Sequence, residues 1–551
     1  MYKMLEKHQS LPYSKAIQTV IRLVGVFALV AIGIDHTFPP MPNAIDLPES
    51  AFSATRAMSH VKEIGTKPHP TGSPENAEVR RYLINQLTAL GLALEIQSTF
   101  ASNPRKKQSG SIQNVLVKIP GTKPGKALML VAHYDSVPAG PGAADNAASV
   151  AAILETLRAI KIHPPLQNDL ICLFTDSEEV GLLGAQAFVD QHSWAKKDVG
   201  LVLNFEYRGN SGAFMMFETS PGNGKLVEGL SAAVPYVMAN SLMYEVYKRL
   251  PNDTDFTVFK RAGIPGMNYA AIEGHKHYHT ALDRPEFLNE STLQHEGDIM
   301  LALVKHFGNQ PLDDLKAEDR QYFDFPGIGI IHYPMRWTMP LGGLLAILFV
   351  AICVIDYKAK AIRLIPTVIA MCAYLILVYG LYLINDYVWT ALRLFHPNYD
   401  TFAYYDTYTS YCYLVGFILI NIIVAAVFYW VARRWLKPME LNLGVAAIWL
   451  VLALLTMNNG ANFLFYWPLL AVLISLGLIR LPAIKNHPSP NSLILLAGSM
   501  PGLLIFTPLI KNLFVGLTPS YMAIILIFLN LLLGLMFPLL TAIGSNKTDI
   551  A

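Results

Sequence analysis

The sequence predicts two structural classes in one chain: an α/β domain with a mostly parallel sheet flanked by helices, and an all-α multi-pass transmembrane bundle. Composition gives the first indication, because 53% of the 551 residues are hydrophobic and only 15% are charged, whereas soluble proteins average about 25% charged residues. The charges are also unevenly spread, since residues 338–545 hold only 15 of the 82 charged side chains. The chain is therefore neither wholly soluble nor wholly embedded in a membrane.

Eight apolar segments approach the length of about 20 residues that a membrane-spanning helix needs. One precedes the charged region and seven follow it, near residues 16–34, 338–356, 364–385, 412–432, 441–458, 462–479, 491–510 and 521–543. Arg22 interrupts the first segment, for which a cleaved signal peptide is the alternative interpretation. The polar leader and the lack of a clear small-x-small cleavage site favour an uncleaved anchor at 16–34, with Arg22 reaching toward the cytoplasmic surface.

Basic residues mark one side of this bundle. Three alternate loops contain them, as Lys358, Lys360 and Arg363, then Arg433, Arg434 and Lys437, then Arg480 and Lys485. The positive-inside rule places these loops, the leader 1–15 and the tail 544–551 in the cytoplasm. The domain at 50–310, between the first span and the seven-helix region 338–543, then faces away from the cytoplasm. Few cysteines and short loops favour a bacterial inner membrane with a periplasmic domain; the membrane of the endoplasmic reticulum or vacuole is the equivalent in a eukaryote.

Composition also excludes several functional classes. The net charge is only +2 and no basic patch is interleaved with aromatic residues, so we expect no nucleic-acid partner, and the lipid bilayer is the expected one. Of the four cysteines only Cys172 lies outside the apolar spans or their edges. Neither a disulfide framework nor a cysteine zinc site can be built from one such residue.

The region 50–310 reads as alternating strands and helices. Residues 127–135 (ALMLVAHYD) form a wholly apolar run that ends in polar residues, which predicts a buried strand. Helical spacing follows at 147–160, a second buried strand at 169–179, a helix at 182–191 and a third strand at 199–207. Strands that alternate with helices indicate a mostly parallel sheet.

Acidic and histidine side chains collect at the carboxyl ends of these strands, where open parallel sheets bind their ligands. In chain order they are His133, Asp135, Asp145, Glu178, Glu179, Glu206 and, after a longer insertion, His279. Two imidazoles and three carboxylates, one of them bridging, suit a pair of divalent cations with zinc-like preferences. Such a pair lowers the pKa of a shared water and polarises a carbonyl, and Glu178, beside a proposed ligand, is placed as a general base. Each residue alone has the simpler interpretation of a loop cap or a solvated charge, so the prediction rests on their combination.

Several further residues are candidates for secondary roles. Tyr247 and Tyr278 are candidate donors to an oxyanion. Asp255 either lines the pocket or caps a helix. His295 is interpreted as a surface residue.

The ordered motifs resemble the M28 family of zinc-dependent aminopeptidases. They are H-Y-D at 133–135, D-N-A-A-S at 145–149, E-E-V-G-L-L-G-A at 178–185, Glu206, and Y-H-T-x-x-D at 278–283. The similarity covers roughly residues 55–300. An M28-like domain after one span and before a multi-pass bundle is similar to the group of endoplasmic reticulum metallopeptidases and vacuolar membrane proteases. The resemblance implies a zinc exopeptidase-like fold, two Zn²⁺ ions and peptide substrates.

The resemblance also implies a role for each motif residue. Asp145 bridges the two ions, His133 and Glu206 complete one site, and Glu179 and His279 complete the other. Glu178 is the base and later the acid that protonates the leaving amine, while Asp135 hydrogen-bonds His133 and fixes its tautomer. Many soluble members have Asp where this chain has Glu206, which leaves the coordination of that ion less defined.

The leading hypothesis is therefore a membrane-anchored di-zinc metallopeptidase that removes N-terminal residues from peptides outside the cytoplasm, through a metal-bridged water activated by Glu178. A single-zinc enzyme similar to glutaminyl cyclases is one alternative. A non-catalytic peptide-binding or transport membrane protein is another. The full set of five ligands with Glu178 favours two metals and hydrolysis, and the scarcity of charges at bilayer depth argues against an ion pathway.

Overall fold

The structure is a computed structural model that describes residues 15–42, 48–401, 406–485 and 488–544. The chain divides into two compact units. One is Thr37–Met335, and the other combines the described parts of Met1–His36 and Arg336–Ala551.

Helix α1 (Lys15–Asp35) comes first along the chain and belongs to the second of these units, the helical unit. The unit Thr37–Met335 follows, and its helices begin where sequence signals place them. Ser73, for example, accepts the backbone N–H of Asn76 at 3.0 Å and precedes a proline at the first helical position of α3. The helices of this unit are α2 (Ala54–Ile64), α3 (Pro74–Ala89), α4 (Ser149–Ile160), α5 (Leu183–Gln191), α6 (Ala195–Asp198), α7 (Gly224–Ala233), α8 (Ser241–Tyr247), α9 (Asp255–Arg261) and α10 (Glu290–Phe307).

Its strands form a mixed sheet and a separate hairpin. They are β1 (Leu94–Asn103), β2 (Gln108–Ile119), β3 (Ala127–His133), β4 (Leu170–Thr175), β5 (Val199–Tyr207), β6 (Met215–Thr219), β7 (Met238–Ala239), β8 (Gly266–Ala271), β9 (Arg320–Phe325) and β10 (Gly329–Pro334). The sheet has the order β1-β2-β4-β3-β5-β8-β6-β7, and its central strands β4, β3, β5 and β8 are parallel. The predicted α/β fold with a mostly parallel sheet is confirmed.

The three apolar strands lie at the centre of this sheet because both of their faces are covered. Every residue of β3, β4 and β5 is buried. Along β3, Leu128 and Leu130 pack into one hydrophobic core, while Met129 and Val131 pack into a second core on the opposite face. Strands enclosed on both faces carry continuous apolar runs rather than alternating ones. Their carboxyl ends consequently open toward one edge, where the polar residues follow.

The predicted helix at 147–160 begins regular geometry only at Ser149. The preceding residues 143–148 form an irregular helical turn in which Asp145 and Asn146 have non-helical backbone angles, and the peptide bond between these two residues is cis. Gly142 introduces the turn with a φ of 70°, and a Cβ there would lie 2.7 Å from the Asp145 carbonyl oxygen. Glycine is required at this point because both the positive φ and the close backbone contact exclude a side chain.

The interpretation of His295 as a surface residue is wrong. His295 is buried in α10, where its Nδ1 accepts the backbone N–H of Phe214 at 3.1 Å. A helix packed on several sides buries polar residues that hydrophobic periodicity alone assigns to the surface. The hairpin β9–β10 follows α10, and the compact unit continues to Met335.

The helical unit consists of apolar helices. After α1 they are α11 (Thr338–Lys358), α12 (Leu364–Phe395), α13 (Ser410–Ala432), α14 (Pro438–Leu455), α15 (Asn462–Leu478), α16 (Pro482–Lys485), α17 (Pro488–Leu517), α18 (Met522–Leu535) and α19 (Phe537–Gly544). Within the described residues, six helices are long and apolar enough to cross a membrane, and two shorter apolar helices cover Asn462–Leu478 and Pro519–Leu535. The predicted all-α apolar region is confirmed, although the eighth predicted segment, 521–543, is divided at Met536 between α18 and α19.

Arg22 does not extend toward a surface as the sequence suggested. Only 3% of the residue is exposed, and its Nη1 donates to the carbonyl oxygen of Leu539 at 3.4 Å. The side chain therefore points between helices of the helical unit. Hydropathy cannot distinguish an arginine that faces lipid from one that faces a neighbouring helix.

Candidate metal and active site

Two groups of side chains that could hold a metal ion meet at the carboxyl edge of the central strands. The donor atoms of His133, Asp145 and Glu206 lie within 4.8 Å of one another, as do those of Asp145, Glu179 and His279. His133 Nε2 is 3.2 Å from Asp145 Oδ1 and 3.4 Å from Glu206 Oε2. His279 Nε2 is 3.1 Å from Asp145 Oδ2 and 3.0 Å from Glu179 Oε1. Asp145 is therefore shared, with one carboxylate oxygen facing each group.

Left-handed backbone conformations occur at two positions in the loops of this site. Ser177, directly before Glu178, has a φ of 61°, and His279 itself has a φ of 57°. A left-handed conformation at a residue other than glycine costs roughly 1–3 kcal/mol and persists only where surrounding contacts enforce it. The loops after β4 and β8 are thus held in shapes that their own residues disfavour.

Asp135 holds the loop that carries Glu178 and Glu179. Its buried carboxylate accepts the backbone N–H of Glu178 at 3.0 Å and that of Glu179 at 3.3 Å. The expected hydrogen bond with His133 is made by the main-chain carbonyl of Asp135, which lies 3.0 Å from His133 Nδ1, while the carboxylate is 3.6 Å from that nitrogen. With Nδ1 donating to this carbonyl, Nε2 of a neutral His133 presents its lone pair to the cluster.

Asp283 has the same function for the loop that carries Asp145. Its buried carboxylate accepts the backbone N–H groups of Ala144 at 2.7 Å and of Asp145 at 3.1 Å. Sequence reasoning assigned no role to Asp283, although the residue closes the motif Y-H-T-x-x-D. Because the partner N–H groups lie 138 residues away along the chain, only the fold reveals this contact.

Two asparagines orient Glu206. Asn204 Nδ2 donates to Glu206 Oε1 at 3.0 Å, and Asn146 Nδ2 approaches Glu206 Oε2 at 3.3 Å. Both were missed at the sequence level. A signal existed in each case, since Asn146 follows Asp145 and Asn204 lies two residues before Glu206, on the same face of β5.

Crowded carboxylates raise one another's proton affinity here. Burial raises the pKa of Glu178 well above its ordinary value; Glu206, Glu179 and Asp255 add to the effect, and His133 opposes it. Burial likewise raises the pKa values of Glu179 and Asp255, each to about 7. A cluster of this kind favours either bound protons or a bound cation.

Tyr247 places a hydroxyl beside this cluster. The hydroxyl oxygen is buried and has no hydrogen-bond partner among the described residues, and the ring packs edge-on against Phe217 with centroids 4.8 Å apart. Burial raises its pKa, and the nearby carboxylates of Glu206 and Glu178 are among the charges that raise it further. Tyr247 is therefore a neutral donor with no acceptor in the described part of the chain.

The other two candidate residues occupy different positions. Tyr278 stacks on His279, with ring centroids 3.7 Å apart, and so supports that imidazole. Asp255 is the first residue of α9 and is fully buried; its Oδ2 accepts the Thr175 hydroxyl at 2.5 Å, while Oδ1 has no partner among the described residues. The interpretation of Asp255 as a helix cap is wrong, because the N-cap of α9 is Thr254; the Asp255 carboxyl instead lies near the charges of Glu206 and His133.

The donor set fits zinc, which binds imidazole nitrogen and carboxylate oxygen. Two histidine Nε2 atoms each face two carboxylate oxygens within 3.4 Å. For His133 the Nδ1 hydrogen is directed at a carbonyl, so a lone pair on Nε2 faces anionic oxygens. That arrangement is favourable when a positive charge lies between the atoms, either a proton on Nε2 or a bound metal ion.

Comparison with known proteins adds a family match. Residues 114–304 match the model of Peptidase family M28. The mouse protein "Endoplasmic reticulum metallopeptidase 1" is 30% identical over 345 residues, which cover 58% of this chain and 38% of the mouse protein. The "Vacuolar membrane protease" of Saccharomyces cerevisiae is 29% identical over 317 residues, which cover 52% of this chain and 31% of the yeast protein. The chain thus spans less than two fifths of the length of these curated relatives.

Among solved structures, "Aminopeptidase from Aneurinibacillus sp. strain AM-1" is similar to 49% of this chain over 97% of its own length. The sequence identity is 14% and the TM-score is 0.42.

Proposed function

Since residues 114–304 are a peptidase M28 domain, carried by a membrane protein with several apolar helices, we propose that the protein is a two-zinc metallopeptidase. Its reaction is the removal of amino-terminal residues from peptides outside the cytoplasm. The observation that carries the proposal is the pair of His/Asp/Glu groups that share Asp145, directly beside a carboxyl, Glu178, whose main chain is fixed by Asp135.

Five side chains would hold the ions: Asp145 between both, His133 and Glu206 on one, Glu179 and His279 on the other. Bound zinc supplies a polarised substrate carbonyl and a water of lowered pKa. Glu178 takes the proton from the attacking water and returns it to the leaving amine. A carboxyl group suits this role because it can first accept the proton and then donate it.

Tyr247 would stabilise the oxyanion that forms on the carbonyl oxygen. Its buried hydroxyl lacks an acceptor among the described residues, and burial keeps the hydroxyl protonated. This hydroxyl is already positioned and shielded from water. It therefore donates a hydrogen bond when negative charge develops on the carbonyl oxygen, and such a bond stabilises the transition state. Asp135 and Asp283 act as positioning residues through the backbone of the loops they hold.

The test uses the full chain purified in detergent, a panel of aminoacyl fluorogenic substrates, and direct measurement of bound metal. We expect two zinc ions per chain, loss of activity with a chelator and recovery with zinc. Glu178→Gln should lower turnover at least about a hundredfold while zinc remains bound. The matched control is Glu63→Gln, at an exposed position of α2, which should retain full activity.

The outcomes distinguish the alternatives. One zinc ion per chain, with cyclisation of N-terminal glutamine and no hydrolysis, would support the enzyme similar to glutaminyl cyclases. Two zinc ions with no activity on any substrate would contradict the exopeptidase proposal. Wild-type turnover of Glu178→Gln would remove that residue from the mechanism.

The proposed orientation has an independent test. The native cysteines are replaced by alanine, and Arg105→Cys is introduced at the exposed turn between β1 and β2. This cysteine should react with a membrane-impermeant maleimide in intact cells, or in sealed organelle vesicles whose luminal side faces outward. Lys437→Cys, in a basic loop, should react only after permeabilisation. The reverse pattern would invert the proposed topology.

A further inference from the structure

An apolar groove lies on the helical unit between α12 and the C-terminal half of α13. Its volume is about 580 Å³, within the range of about 300–1,000 Å³ that ligand clefts occupy. Its walls include Pro366, Ile369 and Ala373 from α12, and Val424, Val427 and Val431 from α13.

The groove follows from the helical spacing of its walls. Positions 424, 427 and 431 share one face of α13, and positions 366, 369 and 373 share one face of α12. Phe428 also lines the groove, and its ring contacts Tyr374 with centroids 5.7 Å apart. This ring contact therefore connects α13 with α12 beside the groove.

The dimensions of the groove match one leaflet of a bilayer. Arg363, which immediately precedes α12, lies at one end, and Ala373 lies ten residues along the helix. At 1.5 Å per residue the groove is about 15 Å long. This is half of the approximately 30 Å hydrocarbon thickness of a membrane, so the space suits an extended acyl chain.

Basic residues concentrate at the Arg363 end. The segments 357–363 and 433–440 contain one acidic residue, Glu440, and six basic ones: Lys358, Lys360, Arg363, Arg433, Arg434 and Lys437. Glu440 is occupied by Arg363, which donates to it at 2.8 and 3.0 Å. Lys437 Nζ donates to the carbonyl oxygen of Lys360 at 2.6 Å and joins the two segments. The groove end lined by Arg363, Trp435 and Leu436 is thus flanked along the chain by a basic rim, in which Arg434 adjoins Trp435 and Lys437 adjoins Leu436.

We propose that this groove binds one phospholipid with an anionic headgroup. The acyl chain lies along α12 and α13, and the headgroup phosphate lies against the rim formed by Arg434, Lys437 and their neighbours. Charge complementarity selects an anionic over a zwitterionic lipid. Trp435 lines the same end of the groove and is 70% exposed, as expected of a side chain at the headgroup level.

Trp435 also provides the probe. The full chain in mixed micelles is titrated with phosphatidylglycerol or phosphatidylcholine that carries bromine on its acyl chains, a quencher of tryptophan fluorescence. Because the chain has seven tryptophans, the signal of Trp435 is the difference between the wild type and Trp435→Phe. We expect Trp435 to be quenched at a much lower mole fraction of phosphatidylglycerol than of phosphatidylcholine.

One double variant tests the basic rim, and two matched single variants test the apolar groove. Arg434→Gln with Lys437→Gln, both at exposed positions, should raise the phosphatidylglycerol midpoint about tenfold or more. Val424→Phe should fill the groove and weaken quenching by phosphatidylglycerol, whereas Ile423→Phe, on an exposed face of the same helix, should not. Equal quenching by both lipids, or quenching unaffected by the double Gln variant and by Val424→Phe, would overturn the proposal and leave only bulk lipid at this surface.

Discussion

Asp135→Asn is the most informative single substitution for the proposed mechanism. The Asp135 carboxylate is fully buried and accepts the successive backbone N–H groups of Glu178 and Glu179 at 3.0 and 3.3 Å. Asparagine has nearly the same shape but keeps only one accepting oxygen, because the second becomes an NH₂ group that donates. One of the two backbone N–H groups then faces another donor. The loop that carries the proposed base and a proposed ligand should shift.

The size of the effect follows from the bond that is lost. A hydrogen bond to a charged group contributes about 1.5–3 kcal/mol. If that free energy is needed to hold Glu178 in its reactive position, and about 1.4 kcal/mol corresponds to a tenfold change in rate, kcat should fall about 10- to 100-fold. KM should change little, since substrate contacts are not removed.

The assay is steady-state hydrolysis of the best aminoacyl substrate, with zinc content and Tm measured on the same sample. The control is Asp190→Asn, an exposed residue of α5 that accepts a surface hydrogen bond from Gln186 at 2.9 Å. A folded Asp135→Asn protein with wild-type kcat would refute the reasoning. A loss of activity that parallels loss of zinc, and recovers with excess zinc, would show that Asp135 acts on metal affinity instead.

Three further predictions concern stability. Thr175→Val removes the hydroxyl that donates to Asp255 Oδ2 at 2.5 Å. The free energy of unfolding should fall by about 1–3 kcal/mol, which is measured as a lower Tm. Thr175→Ser should restore the Tm. Burial raises the pKa of Glu296 from 4.5 to about 8; in that pH range the unfolded chain has released a proton that the folded chain keeps, so stability falls as pH rises. Glu296→Gln should flatten the dependence of the denaturation midpoint on pH, and an unchanged slope would assign it to other groups. In the helical unit, Asn421→Leu removes paired hydrogen bonds with Asn385 at 3.1 Å and should lower stability in detergent by about 1 kcal/mol; a variant as stable as the wild type would contradict this contribution.

The central strands were predictable because their signal is local. Apolar runs at 127–132 and 199–203 are characteristic of strands covered on both faces, and these segments lie in β3 and β5. The start of α4 was less predictable, since apolar spacing continues through residues 147 and 148 while the backbone there is still irregular. Periodicity reports which face is buried, and it does not report where regular backbone geometry begins.

The proposed ligands were identifiable from chemistry and order alone. Their supporting residues were not, because an aspartate that binds a distant backbone N–H looks the same in sequence as one exposed to water. Asp283 illustrates this, since its acceptor role depends on a loop 138 residues away. The Asp135 contact with His133 shows a finer limit, because only coordinates distinguish its main-chain carbonyl from its carboxylate.

The sequence by itself determined the two structural classes, the buried strands and the identity of the side chains available for a metal site, because each depends on composition and short-range order. Only the tertiary structure decided which atoms face one another. It joined Asp145 to both histidines, turned Arg22 and His295 inward, and formed a groove between helices α12 and α13 that the apolar sequences of these helices do not indicate. The physical reason is that distances across a fold are set by packing between segments far apart in the chain, on which local patterns carry no information.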